Sequence, residues 1–164
     1  MRGETADMLP EKLKTELDAK IRAAKHPREL VVDVMTAIQS ELGYLSDDGV
    51  KLTARMLEMA PVEVEGLATF YNFIYREPVG KHVIHICDSL MCLVDGYVTI
   101  KDYLCQKLDI KLGETTTDGC ITLLPACCLG YCDQSPAMLV DGKIHGNLTF
   151  EKLDTVIETL RGGR

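Results

Sequence analysis

Four cysteines in two short stretches constrain this chain more than any other feature. Cys87-Asp88-Ser89-Leu90-Met91-Cys92 has four residues between its cysteines, and Cys128-Leu129-Gly130-Tyr131-Cys132 has three. Residues 93 to 127 separate the two pairs. Two such pairs, each borne on a loop, make a four-thiolate site only if the fold returns the second loop to the first.

The cysteine count is seven, an odd number. In a secreted chain that would read as disulfides with one thiol left over. The opening residues, Met1 to Asp7, are polar and no signal-peptide core follows them, so the expectation is an intracellular chain with reduced thiols. Paired cysteines then point to metal or redox chemistry. Zinc accepts tetrahedral cysteine sets with such spacings. A four-residue gap also opens the plant-type iron–sulfur pattern, although the rest of that pattern is absent. The ample apolar material favours iron–sulfur over a zinc knuckle, and spacing alone leaves zinc open. A Rieske centre needs two histidine ligands. His85 is close to Cys87 but neither loop holds a histidine, so that reading is set aside.

At 164 residues the chain makes one or two small domains. With 46% hydrophobic residues and a net charge of −7 it reads as a soluble globule without the basic surface that nucleic acid requires. No stretch has the apolar length to span a membrane.

Leu9, Leu13, Leu17 and Ile21 recur every fourth residue, which predicts a helix over residues 9–24 that ends before Pro27. A second helix is predicted from Arg28 to Leu42, with Gly43 just past its end. A third is capped by Asp47 or Asp48 and carries Val50 through Ala60. A fourth starts at Pro61 and turns Val64, Leu67 and Phe70 inward. Glu63 and Glu65 read as first-turn or solvated charges.

The period changes at Pro78-Val79-Gly80, which places a domain boundary between 1–77 and 78–164. His82-Val83-Ile84-His85-Ile86 alternates as a strand, with His82 and His85 on opposite faces. The first cysteine pair follows it directly. Next come a helix from Tyr97 to Leu108, a turn at Asp118-Gly119 and a strand from Cys120 to Leu124 that feeds the second cysteine pair. Ala137–Val140 and Lys143–His145 form a hairpin around Asp141-Gly142. Thr149 caps a last helix with Phe150, Leu153, Val156, Ile157 and Leu160 inward, stopped by Gly162 and Gly163. The fold class is therefore α+β or α/β, an N-terminal helical bundle followed by a thioredoxin-like domain. Both loops leave strand ends, where their backbone N–H groups can meet sulfur. Leu90, Met91, Leu93 and Leu129 surround the cysteines and are expected as buried lining that limits water, the alternative being a partly exposed apolar rim for docking. Cys105 and Cys120 read as small buried hydrophobes. Cys127 competes with Cys128 as a ligand on spacing alone.

Val64-Glu65-Gly66-Leu67-Ala68-Thr69-Phe70-Tyr71, Pro78-Val79-Gly80-Lys81-His82, the Cys87-Asp88-Ser89 to Cys92 run and Leu124-Pro125-Ala126-Cys127-Cys128-Leu129-Gly130-Tyr131-Cys132-Asp133 together resemble one family. It is the thioredoxin-like [2Fe–2S] subunit of NADH:quinone oxidoreductase, respiratory complex I. The resemblance spans nearly the whole chain. It implies Cys87, Cys92, Cys128 and Cys132 as metal and cofactor ligands of one [2Fe–2S] cluster. It implies a larger flavin subunit as partner, carrying FMN, the NADH site and a [4Fe–4S] cluster, in a cytoplasmic assembly peripheral to the membrane. Related subunits serve NAD-linked hydrogenases and formate dehydrogenases. The sequence has no Gly-x-Gly-x-x-Gly fingerprint and no phosphate loop, so hydride chemistry is expected on the partner. A thiol–disulfide oxidoreductase would need a Cys-x-x-Cys pair, and the chain has none.

Overall fold

The computed structural model describes residues 9–162. The expectations on Met1 to Asp7 and Gly163 lie outside these residues. The chain divides into two compact units, one ending at Pro78 and the other beginning at Val79.

The first unit is helical: α1 (Glu11–Ala23), a 3-10 turn (Pro27–Leu30), α2 (Val31–Leu42), α3 (Asp47–Met56) and α4 (Pro61–Phe70). Leu17, Met35, Ile38, Leu45, Val64 and Ala68 are buried in its core. Gly43 ends α2 with φ of +84°, a conformation that costs little without a Cβ. Several local expectations are corrected. The cap of α3 is Ser46, whose Oγ accepts from the Gly49 N–H at 3.2 Å; Asp47 and Asp48 follow it in the first turn. A serine hydroxyl reaches the third amide of a helix as readily as a carboxylate does. The second helix begins as a 3-10 turn because Pro27 has no N–H and a fixed φ. Helix α3 stops at Met56, and Glu58 follows with φ of +52°. Phe70 is 74% exposed and does not join the core. Glu63 accepts from the Ala60 N–H at 2.8 Å and so caps α4. Glu65 is not merely solvated: it holds Arg76 Nε through both carboxylate oxygens at 3.1 Å.

The second unit is a four-stranded sheet: β1 (His82–Cys87), β2 (Ile121–Ala126), β3 (Met138–Val140) and β4 (Lys143–His145), in the order β2-β1-β3-β4. Strands β1 and β2 are parallel, and β1–β3 and β3–β4 are antiparallel. Between β1 and β2 lie a one-turn helix, α5 (Leu90–Val94), and α6 (Tyr97–Leu108); α7 (Phe150–Gly162) closes the chain. Ile84, Ile86, Ile121, Leu123, Met138 and Val140 alternate along their strands onto one face. Ile100, Leu104, Leu153 and Ile157 from α6 and α7 complete the same core. Phe150, expected inward, is 44% exposed and stacks on Tyr103 at 4.4 Å between ring centroids.

Asp141 and Gly142 both take positive φ, +47° and +81°, as a two-residue hairpin turn requires. Asp141 also clamps the neighbouring strand. Its carboxylate accepts from the Val83 N–H at 2.9 Å and meets His82 Nδ1 at 2.6 Å.

Candidate metal centre

The site follows from how β1 and β2 pair. The strands run parallel, so both finish at the same edge of the sheet. Their register sets Cys87 opposite Ala126. The Asp88 N–H donates to the Ala126 carbonyl at 3.0 Å, and the Cys87 N–H to the Ala137 carbonyl at 3.1 Å. Cys87 is thus the last residue of a fully hydrogen-bonded central strand. Cys127 and Cys128 leave the adjacent strand one and two residues beyond its partner.

The first pair is not a pure loop as expected. Four residues separate Cys87 from Cys92, and the chain uses them to begin α5, in which the Leu93 N–H donates to the Ser89 carbonyl at 2.9 Å. That turn folds Cys92 back beside Cys87, and each is 2% exposed. Ala137 packs on both, with Tyr97, Leu129 and Tyr131 around them. Burial is the main reason the Cys92 thiol is pushed up to about 11, and the adjacent Cys87 adds to it.

The second pair is more open. Cys128 and Cys132 are exposed, with Sγ atoms 3.4 Å apart. Gly130 lies between them at φ of +76°, which turns its N–H onto Cys128 Sγ at 3.4 Å. That donor is the main reason the Cys128 thiol is held below its ordinary value; Cys132 and the Ser89 hydroxyl add to the effect. Cys132 is shifted up, chiefly by its hydrogen bond with Cys128, and Cys87 contributes. The Asp88 N–H on the Ala126 carbonyl ties the first stretch to the residue just before Cys127 and Cys128, so the two stretches meet.

The expected four ligands therefore fall at one edge of the sheet, as an inner buried pair and an outer exposed pair. Among the described residues, no three His, Cys, Asp or Glu side chains gather as ligands of a single metal ion. A two-iron cluster takes its thiolates two to an iron, so two pairs match its demand. The Gly130 N–H already aimed at sulfur and the apolar floor of Ala137 and Tyr97 fit that group as well.

The other cysteines stand apart. Cys105 and Cys120 are half-buried against the main core, and Cys120 Sγ lies 3.9 Å from the Leu160 carbonyl. Cys127 is exposed. The lining expectation is corrected: Leu90 is 71% exposed, and Met91 and Leu93 are about half exposed. The five-residue α5 has room to bury one side chain, and Cys92 takes that place. Sequence reasoning missed Ser89, Tyr97 and Ala137. Ser89 carried a signal, because a serine before a short apolar run reads as a helix start.

The family model described as thioredoxin-like [2Fe–2S] ferredoxin matches residues 17–161. The chain belongs to this family. Its cofactor is one [2Fe–2S] cluster, and its chemistry is one-electron transfer within an oxidoreductase. The chain is 43% identical over 132 residues to a subunit of the NADH-quinone oxidoreductase of Escherichia coli strain K12, covering 80% of each protein. It is 34% identical over 151 residues to the like-named subunit from Pseudomonas aeruginosa, covering 92% of this chain and 91% of that one. It also shares its fold with an NAD+-reducing [NiFe]-hydrogenase chain, at a TM-score of 0.67 and 24% identity over 79% of this chain. The chain spans 23% of that hydrogenase chain, so this likeness is one of fold.

Proposed function

We propose that Cys87, Cys92, Cys128 and Cys132 hold the cluster, and that the chain serves as the [2Fe–2S] subunit of an NADH:quinone oxidoreductase. In this reading FMN and the NADH site lie on a larger partner subunit, and the assembly is peripheral to the membrane. Among the described residues no helix is long and apolar enough to cross a membrane. The observation that carries the ligand assignment is the meeting of the two pairs where β1 and β2 end.

When bound, the cluster accepts and returns one electron at a time. The chain's own residues set the conditions for that. Cys87 and Cys92, both buried, and Cys128 and Cys132, both exposed, would hold the cluster. The Gly130 N–H and the Ser89 hydroxyl stabilise negative charge on Cys128, which favours the reduced state. Exposed Asp88, Asp95 and Asp133 oppose it by repulsion. Hydride chemistry belongs to a flavin, because the sequence carries no nucleotide fingerprint of its own.

Single Cys→Ser substitutions test the assignment through the visible and paramagnetic spectra of the purified protein. Replacing any of Cys87, Cys92, Cys128 or Cys132 is expected to shift or abolish the [2Fe–2S] signals. Loss of the cluster in Cys127→Ser with retention in Cys128→Ser would overturn the assignment of the third ligand.

A further inference from the structure

The two cysteine stretches are tied to each other twice, once where they begin and once where they end. At the start the Asp88 N–H donates to the Ala126 carbonyl at 3.0 Å, beside the last pairing of β1 with β2. At the end the tie is made by side chains. Asp95 stands three residues past Cys92, and Ser135 stands three residues past Cys132. The Ser135 hydroxyl donates to the Asp95 carboxylate across forty positions of sequence. Hydrogen bonds to an ionised acceptor are roughly twice as strong as those between neutral groups.

Each partner is also fixed to its own cysteine by local backbone structure. Asp95 ends α5, and its N–H donates to the Met91 carbonyl at 3.0 Å over the turn that buries Cys92. Ser135 ends the 3-10 turn Cys132–Gln134, in which the Gln134 N–H donates to the Tyr131 carbonyl at 3.2 Å. The segment after β4 backs that turn: the Asn147 N–H donates to the Gln134 carbonyl, and the Leu148 N–H to the Pro136 carbonyl at 3.1 Å. The strand pairing holds only the start of the second stretch. Cys132 lies six residues past Ala126 and is exposed, so its distance from the buried Cys92 depends on a tie at the far end.

We propose that Asp95 and Ser135 are positioning residues for the cluster: their hydrogen bond closes the four-cysteine frame at the end of the two stretches, and the Asp95 carboxylate held there lowers the cluster's reduction potential. This rests on the assignment of Cys87, Cys92, Cys128 and Cys132 as ligands. An added electron makes the cluster more negative, and a carboxylate three residues from a ligand opposes that charge. The two effects are separable, because an asparagine amide accepts the same hydrogen bond without the charge.

The test uses the full-length, cluster-loaded chain. It follows the bleaching of the [2Fe–2S] absorption by excess EDTA, and the reduction potential by a dithionite titration read through the paramagnetic signal. Ser135→Ala and Asp95→Ala are expected to bleach about three- to tenfold faster than wild type, the scale of one lost hydrogen bond. The double variant should bleach no faster than the single ones, since both remove the same contact. Asp95→Asn should bleach more slowly than Asp95→Ala and should have a higher potential than wild type. Cys105→Ser, which packs on the main core away from both stretches, should bleach at the wild-type rate. Wild-type bleaching in both alanine variants overturns the tie, and so does multiplication of their effects in the double variant. Equal acceleration in Cys105→Ser also overturns it, because the effect is then one of general stability. An unmoved potential in Asp95→Asn overturns the role of the charge. If Asp95→Ala takes up no cluster, Ser135→Ala decides. Retention of the wild-type spectrum in Cys92→Ser or Cys132→Ser refutes the ligand assignment first, and the frame with it.

Discussion

Cys87 faces Ala126 across the parallel β1–β2 pair, and this one pairing sets both cysteine stretches at the same edge of the sheet. Parallel strands end together, so the loops that follow them start together. A slip of one residue would move Cys87 to the other face of the sheet and away from Cys92.

The first prediction separates ligand from packing cysteines. Cys105→Ser, Cys120→Ser and Cys127→Ser are expected to keep the [2Fe–2S] absorption. Cys105→Ser and Cys120→Ser should lower stability by about 1 kcal/mol, the scale of setting a hydroxyl where a thiol packs half-buried on a core. Chemical denaturation of the cluster-loaded proteins measures this. Bleaching in any of the three would contradict the proposed ligand set.

A second prediction contrasts two glycines. A Cβ on Gly146 would lie 2.7 Å from Gln134 Cβ, the Gln134 carbonyl and Tyr131 Cε1. Gly146→Ala must therefore shift the segment that carries the outer cysteine pair, and should cost about 1–3 kcal/mol. Gly66 is inside α4 and meets nothing within 4 Å. Gly66→Ala should stabilise the chain by about 0.5–1 kcal/mol. Thermal unfolding should move in opposite directions for the two.

Asp141 is expected to matter beyond its turn. Asp141→Ala removes the acceptor for both His82 Nδ1 and the Val83 N–H. The amide of a central strand would lose its partner, at a cost of about 1–3 kcal/mol. Asp141→Asn retains an acceptor and should recover part of that loss in the same denaturation assay.

Acid should weaken the fold in two stages. Burial holds the His145 imidazole below its ordinary 6.5, and Lys143 adds to this. A depressed histidine binds its proton more readily when unfolded, so stability is lost as pH falls below 6.5. Glu151, Asp118 and Asp154 are held below their ordinary 4.5, 3.8 and 3.8 by hydrogen bonds; Asp154 is held chiefly by the Tyr103 hydroxyl. Their contribution is present above those values and is lost as pH falls through the native ones. His145→Gln should remove the first stage and leave the second. An unchanged profile between pH 6.5 and 5 in the variant would refute the role given to His145.

The last prediction concerns activity and independence. Purified alone, the cluster-loaded chain should not oxidise NADH with ferricyanide or quinone as acceptor. Dithionite should reduce it by one electron to a rhombic [2Fe–2S] paramagnetic signal. A fragment of residues 79–164 should fold around the cluster and keep its colour, because Ile84, Leu104, Leu123 and Leu153 form a core within that stretch. It should bind the flavoprotein less tightly than the full chain does. Catalytic NADH oxidation by the isolated chain would contradict the reading.

Much of this molecule is written in local pattern. The four-residue stripe of α1, the stop at Gly43, the alternation of β1 and the Asp141-Gly142 turn each depend on neighbours a few residues away, so they are legible without the fold. The spacing inside each cysteine pair is local in the same sense. Other features depend on partners far along the chain. Arg76 gathers Asp47, Glu65 and the Leu45 carbonyl, and Asp141 reaches back to Val83, contacts that no periodicity announces. Phe70 and Phe150 match the inward period of their helices, yet both are exposed, because a helix buries only the arc that another element covers. The sequence by itself determined which residues could hold a metal and how each pair was spaced. Only the tertiary structure decided that the pairs meet, that one is buried and the other open, and that α5 turns its leucines outward. Those outcomes come from the parallel register of β1 on β2, a relation between residues about forty positions apart.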